Sequence, residues 1–191
     1  MKTTYYKNLN IPNLFNPCYQ DIIINKSIEK KLPNSDINIE FIEWLESLNI
    51  GVHNCRFFGA LPYFKNPLHK DISYDSELSN RFTDCVKLNL IYNSVNSNMI
   101  WYELNPDKTS EIVINKVGER LQIYNENDCH VLFETIADGP ACLFNGAVIH
   151  TMNNGNSTRH CYSMPLINLT TRIRLTWDEA NKMLGSYMSS H

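Results

Sequence analysis

Between residues 52 and 177 apolar and polar positions alternate in short bursts, and turn residues cut the bursts apart. Strand-like runs are predicted at Val52–Leu61, Val86–Tyr92, Met99–Leu104, Glu111–Asn115, Leu121–Tyr124, Val131–Ile136, Ala141–Phe144, Ala147–His150, Arg159–Ile167 and Thr171–Trp177. Asn-Ser-Val-Asn-Ser-Asn at 93–98, Asn-Pro-Asp at 105–107, Asp-Gly-Pro at 138–140 and Asn-Asn-Gly-Asn at 153–156 separate them. Many short strands at roughly 8–12-residue spacing predict a sandwich or barrel, and a jelly roll is one such solution.

Upstream the period changes. The first 34 residues read as irregular chain around a short apolar strand at Ile22–Ile24. Ile39, Ile42 and Leu45, with Phe41, Trp44 and Leu48, then form a helical stripe. Ser35 or Asp36 can cap that helix, and Asn49-Ile50-Gly51 is its expected stop, with Gly51 near C′. A second helix is predicted from Trp177 or Asp178 to Leu184. No repeat or long linker interrupts the chain. The expectation is a mainly β protein with supporting helices: one domain over 1–191, with N-terminal support in 1–50 and a β core in 52–177.

Composition narrows the class. Of 191 residues 43% are hydrophobic and 19% charged, which excludes a disordered or fibrous chain. The net charge of −3 makes a duplex nucleic-acid partner unlikely by expectation, since such binders are usually basic. No apolar run is long enough to span a membrane, and the N-terminus lacks the charged and apolar regions of a signal peptide. The six cysteines contain no CxxC pair, a spacing that fits reduced thiols in a cytoplasmic protein better than a zinc site or a disulfide framework. Neither GxxxxGK[ST] nor GxGxxG occurs, which removes support for phosphate-cradling folds.

Chemistry gathers at two places. In Pro67-Leu68-His69-Lys70-Asp71, an extended backbone would put His69 and Asp71 on one side. In Ala141 to His150, an apolar strand and a glycine break lead into a second histidine, and Arg159 opens the next strand. Two histidines and one carboxylate can occupy one face of an octahedral metal, leaving the other positions for ligands and dioxygen. A guanidinium nearby suits a two-pronged grip on a carboxylate. Each feature has an ordinary reading as well, a solvated loop pair or a structural histidine; the combination carries the metal hypothesis.

This pattern resembles the 2-oxoglutarate- and Fe(II)-dependent dioxygenase superfamily, whose signature is HxD, a distal His, and an Arg about ten residues later. Lys87-Leu88-Asn89-Leu90-Ile91-Tyr92-Asn93 followed by Met99-Ile100-Trp101-Tyr102-Glu103 is also similar to strands that follow HxD in small members. The resemblance covers about Phe57 to Ile167. It implies a double-stranded β-helix, a jelly-roll and cupin relative. It implies Fe(II) bound by His69, Asp71 and His150, and Arg159 on the distal carboxylate of 2-oxoglutarate. It implies hydroxylation of a small molecule or a peptide side chain with dioxygen as oxidant. One departure matters: many members carry Ser or Thr two residues after the Arg, where this chain has Cys161, and the next residue on that face is Ser163.

A second carboxylate donor is therefore expected from another strand. By strand parity Lys87, Asn89 and Ile91 share one face, while Tyr102 shares a face with Ile100 and Leu104. Asn89 and Tyr102 are the candidates; Tyr92 falls with Val86, Leu88 and Leu90 and is expected in the core. Arg172 and Arg174, alternating with Ile173 and Leu175, are expected to be solvated on an edge strand. His53, His130 and His160 are read as structural or surface residues. The polar stretch Ser73–Asp84 is expected to form part of a lid. Two rivals stay open, a non-catalytic β-sandwich binding module and a cupin-like metalloenzyme that uses no 2-oxoglutarate.

Overall fold

In the computed structural model, residues 5–16, 24–74, 82–83, 85–115 and 120–189 are described. Its strands, in chain order, are β1 Tyr6–Asn8, β2 Ile28–Leu32, β3 Ile50–Val52, β4 Cys55–Ala60, β5 His69–Tyr74, β6 Phe82–Thr83, β7 Val86–Tyr92, β8 Asn98–Leu104, β9 Glu111–Ile114, β10 Arg120–Ile123, β11 Cys129–Ile136, β12 Ala141–Asn145, β13 Ile149–Asn153 and β14 Arg159–Asn168. Helix α1 is Ile39–Ser47 and α2 is Trp177–Met183. Among the described residues no helix is long and apolar enough to cross a membrane.

The strands form two antiparallel sheets. The first runs β1-β12-β7-β14-β4-β2, with β3 also on β14; the second runs β11-β8-β13-β5-β10-β9, with β6 on β5. Take the central strands β4, β5, β7, β8, β11, β12, β13 and β14 in order. The first pairs the eighth, the second the seventh, the third the sixth and the fourth the fifth. Nested pairing of this kind, rolled so that successive strands pass between two sheets, is the jelly roll, or double-stranded β-helix. Strand β2 extends the first sheet beyond β4, and the hairpin β9–β10 extends the second beyond β5.

Alternation along β7 and β14 explains where the core lies. Val86, Leu88 and Leu90 of β7, with Tyr162, Met164 and Leu166 of β14, face outward into one apolar cluster. Phe41 and Leu45 of α1, and Ala180 of α2, cover that face. Between the sheets the apolar filling is smaller, centred on fully buried Trp101, whose ring meets Phe133 at 5.6 Å and Phe144 at 6.0 Å. The inward residues Lys87, Asn89, Arg159 and Ser163 are buried as well, because both faces of the first sheet are covered.

Several expectations change. Helix α1 starts at Asn38, whose side chain makes no cap bond, while 34–36 form a separate 3-10 turn. The helix stops because Asn49 takes the left-handed conformation at φ 58, so Asn49 and not Gly51 ends it; Gly51 lies within β3. The run 52–61 is two strands, split at His53–Asn54. Of the expected strand 171–177 only an isolated antiparallel bridge remains, Arg174 to Ile167, after a turn at 169–171: Asn168 Oδ1 accepts from the backbone of Thr170 and Thr171 at 2.9 and 3.0 Å, and Arg172 sits at φ 59. Helix α2 is as expected, with Thr176 and Glu179 forming a capping box. Strands β1, β2 and β5 were not expected. Of Ile22–Ile24, residues 22 and 23 lie outside the described residues, as do Cys18 and most of Ser73–Asp84; Cys55, Cys85, Cys129, Cys142 and Cys161 are thiols.

The helix-covered core should carry stability independently of the cavity between the sheets. Phe41 is fully buried and meets Phe15 edge-on at 5.2 Å. Phe41→Ala should lower unfolding free energy by about 3–5 kcal/mol in urea denaturation, with the metal affinity of the folded fraction unchanged.

Candidate metal centre

Three side chains meet where β5 and β13 lie side by side. His69 opens β5 directly opposite His150 of β13, and Asp71 follows on the same face of β5. The ligating atoms of His69, Asp71 and His150 all lie within 4.8 Å of one another. His69 Nε2 is 3.9 Å from Asp71 Oδ1, and His150 Nε2 is 3.9 Å from Asp71 Oδ2. These gaps are too long for hydrogen bonds and suit atoms that share one small cation at about 2.1 Å each.

The two imidazoles are oriented by their own backbone. His69 Nδ1 donates to the Pro67 carbonyl and His150 Nδ1 to the Val148 carbonyl, each at 2.8 Å. A carbonyl can only accept, so Nδ1 carries the proton and the Nε2 lone pair is left for a metal. Burial first, and then the neighbouring His69, pull His150 down to about 3 against the attraction of Asp71. It is therefore a neutral ligand at ordinary pH. The His69 and His150 rings lie 4.3 Å apart, and Phe144 closes the far side of His150 edge-on at 4.7 Å.

Asp71 is the charged member. Burial pushes its carboxyl up, but the Lys87 ammonium, helped by His150 and His69, holds it at about 2. Lys87 Nζ stands 2.8 Å from Asp71 Oδ2. Gly146 fixes the carboxylate from below: its carbonyl accepts from the Asp71 amide at 2.9 Å, and its own amide donates to Cys85 O at 2.8 Å. A Cβ on Gly146 would stand 2.3 Å from Asp71 Oδ2 and 3.1 Å from Cys85 O. Only a residue without a side chain lets the turn after β12 pass this close to the carboxylate. Two imidazoles, one carboxylate and an open side form a donor set that fits ferrous iron.

The triad opens into a cavity of about 550 Å³ between the sheets. Arg159, Asn89, Cys161 and Ser163 line it, from adjoining strands of the first sheet. Arg159 is 4% exposed, its Nε has no hydrogen-bond partner, and no carboxylate among the described residues pairs with it. Its positive charge pulls down on the Cys161 thiol against the burial that pushes that thiol up. The loop before it is pinned: Asn154 Nδ2 donates to Leu61 O and Ser157 O at 2.6 and 2.8 Å, and Asn154 Oδ1 accepts from Ser97 Oγ at 2.7 Å. Asn89 is buried with Oδ1 unpartnered, opposite Ser163 in register. Ile28, Phe58, Ile114, Leu121 and Ile123 add apolar surface to the lining, beside the polar Glu29 and Asn115.

The structure thus brings together His69, Asp71, His150, Arg159 and Asn89, and leaves Tyr102 out. Tyr102 lies on the opposite face of its sheet, in a cluster with Leu68, Ile100, Tyr124 and Ile149; its hydroxyl reaches Glu126 at 3.4 Å. Trp101 takes the inward position instead. Arg172 is exposed beside the turn that follows β14, and Arg174 is half-buried where its backbone bridges Ile167. His130 bonds Glu103 at 3.0 Å on the surface, and His160 faces the helix side against Phe57. Two contributors were not foreseen, Lys87 and Gly146. Strand parity with Asn89 was the available signal for Lys87; no local pattern marks the approach of Gly146 to Asp71.

Among solved structures the chain is matched to a cupin 2 domain-containing protein from Halorhodospira halophila, at 7% identity over 97% of both chains, with a TM-score of 0.33. No protein-family model matches the chain. No curated protein matches it. What stands is a jelly roll carrying a His-Asp-His cluster that could hold a metal ion.

Two outcomes are expected. Gly146→Ala should weaken metal binding about 10–100-fold, the range for disturbing a ligand's support, as measured by Co(II) titration. Acid should destabilise the metal-free protein in a defined window. The unfolded chain protonates the His150 imidazole near 6.5 and the folded chain only near 3, so between them the unfolded state binds more protons. Stability is complete above about pH 6.5 and falls on the way to 3; Asp71 adds a further loss from 3.8 down through about 2. His150→Gln should flatten the upper window by up to about 1.4 kcal/mol per pH unit in urea titrations.

Proposed function

We propose that this chain is an Fe(II)- and 2-oxoglutarate-dependent oxygenase. The observation that carries the reading is Arg159. A buried guanidinium without a carboxylate is costly, and it persists most simply where a ligand completes the pair. It lines the same cavity as an open two-histidine, one-carboxylate face. A ligand with a metal-chelating end and a carboxylate at the other satisfies both, and 2-oxoglutarate is such a dianion.

His69, Asp71 and His150 would hold the iron. When bound, ferrous iron with 2-oxoglutarate and dioxygen would supply oxidation of a C–H bond, giving hydroxylated substrate, succinate and carbon dioxide. The chain's own share is positioning. Arg159 takes the distal carboxylate in a two-pronged contact. Asn89 and Ser163 can donate beside it, with Ser163 supplying the hydroxyl that Cys161 lacks. Trp101 and Phe144 exclude water from the inner end. The cavity is within the ~300–1,000 Å³ range of small-molecule sites, and its apolar lining suits a second molecule that presents an apolar group.

A second reading, a metalloenzyme of the same fold without 2-oxoglutarate, is favoured by Cys161 at the expected hydroxyl position. Arg159 decides between the two. Arg159→Ala should weaken 2-oxoglutarate binding by two or more orders of magnitude, from ~3–5 kcal/mol for truncating one partner of a buried pair. Iron binding should survive, and exposed Arg172→Ala should be neutral. Anaerobic titration of the iron-to-oxoglutarate charge-transfer band measures both. An unchanged dissociation constant in Arg159→Ala would remove the co-substrate from this cavity. Oxygen-dependent succinate release is the expected turnover, lost in His69→Ala, Asp71→Ala and His150→Ala.

A further inference from the structure

We infer that Leu121 and Ile123 of β10 form the substrate seat beside the metal, and that they select an uncharged alkyl group as the part of the substrate presented for oxidation. The assignment rests on the oxygenase reading and names the substrate class for that site. Register carries it. In the β5–β10 pair Ile123 lies directly opposite His69, and Leu121 directly opposite Asp71. Residues opposite one another in an antiparallel pair share a sheet face, with Cβ atoms ~4.5–5.5 Å apart. The two aliphatic side chains therefore stand on the ligand face, next to two of the three metal ligands. On the other flank of that row, His150 lies opposite His69 and Trp101 opposite His150. That flank is closed, since Trp101 is fully buried. The β10 flank is open: Leu121 and Ile123 line the cavity and are only half-buried.

The facing sheet supplies the rest of the seat. Phe58 of β4 lies opposite Cys161 of β14 on one side and Glu29 of β2 on the other, and all three line the cavity. Strand β2 and the hairpin β9–β10 extend the two sheets, and the extensions meet: Asn115, the residue after β9, donates to Glu29 at 2.9 Å. The hairpin that carries Leu121 and Ile123 is thereby tied to the sheet that carries Phe58. Charge then decides the class. Among the described residues lining the cavity, the carboxylates are Asp71 and Glu29. Asp71 is committed to the triad and to Lys87, and Glu29 accepts from Asn115 and faces Arg56 at 3.6 Å. Both negative charges are already matched, which leaves no reward for a cationic substrate. An anionic group would be drawn to Arg159, the end that the co-substrate takes. The surface beside the metal, Leu121, Ile123 and Phe58, offers no side-chain hydrogen bond and rewards buried methylene groups.

The seat is read in the full chain loaded with Mn(II) and N-oxalylglycine, in which an amide N–H replaces one methylene of 2-oxoglutarate. With the co-substrate end filled, a second molecule has only the seat. Linear alcohols from butanol to octanol are the probes, and the broadening of their proton resonances by the ion gives dissociation constants. Affinity is expected to rise about fourfold per added methylene, equivalent to ~0.8 kcal/mol for each buried CH2. Leu121→Gln and Ile123→Gln should each weaken hexanol by about tenfold or more, the burial of roughly two methylenes. Mn(II) and N-oxalylglycine affinities should stay within a few-fold. Leu121→Trp, which keeps the wall apolar where Gln does not fold, should accept butanol and reject octanol. Hexylammonium should bind more weakly than hexanol. Hexanol affinity unchanged in both Gln variants, or octanol unaffected by Leu121→Trp, would move the substrate elsewhere in the cavity and overturn the assignment. Hexylammonium binding more tightly than hexanol would overturn the uncharged class. Failure of N-oxalylglycine to bind the unsubstituted protein would sink the oxygenase reading instead, and the alcohols titrated against the Mn(II)-loaded chain alone would still test the seat.

Discussion

Asp71 is an ionised carboxylate with almost no water around it, and its surroundings are arranged to keep it so. Lys87 supplies the opposing charge at 2.8 Å. Gly146 supplies an amide acceptor and the space. The two histidines, locked by their own backbone carbonyls, leave their Nε2 atoms 3.9 Å from it, with room for a cation between. Each constraint comes from a different strand or turn, so the carboxylate ties β5, β7, β13 and the turn after β12 into one arrangement. A buried charge of this kind costs stability unless every partner is in place. The closeness of Gly146 and the register between His69 and His150 follow from that requirement.

Seen from Arg159 the same logic is incomplete. The loop before it is pinned by Asn154, which donates and accepts across three chain segments. The guanidinium it positions has no acidic partner among the described residues. A rigid frame around an unmatched charge is what a preformed anion site requires, since little order has to be gained on binding. The protein thus holds one compensated charge at the metal end and one uncompensated charge across the cavity.

How much of this was readable beforehand depends on the kind of signal. Strand β7 was legible to the residue, since apolar Val86, Leu88 and Leu90 alternate with Lys87 and Asn89 and turns bracket it. The metal candidates were legible because HxD and a histidine behind a glycine break are local patterns. Strand β5 was not, since His-Lys-Asp carries no apolar run and its partners come from distant chain. Strand β2 hides in Ile-Glu-Lys-Lys-Leu, an edge strand with charged residues between its apolar ends. The alternation Arg-Ile-Arg-Leu at 172–175 reads as a strand and yields only a bridge to the end of β14, because Asn168 holds the amides of Thr170 and Thr171 in a turn just before it. For Tyr102 the parity was right and the side was wrong: alternation tells which residues share a face, not which face looks inward. Trp101, the larger apolar ring, took the interior.

The division of labour along β7 and β14 has an evolutionary consequence. Even-numbered residues from 86 to 90 and from 162 to 166 serve the helix-covered core, while Lys87, Asn89, Arg159, Cys161 and Ser163 face the cavity. Two independent texts are written in alternate letters on the same strands. Selection can revise the cavity text, and with it ligand preference, while the core text stays legible to folding. The arrangement is correspondingly intolerant of frameshifts in structure. Deleting one residue from the middle of β7 would carry a leucine toward the metal and a lysine into the core. Point substitutions are the open route for this protein to acquire new specificity, and length changes belong in its loops.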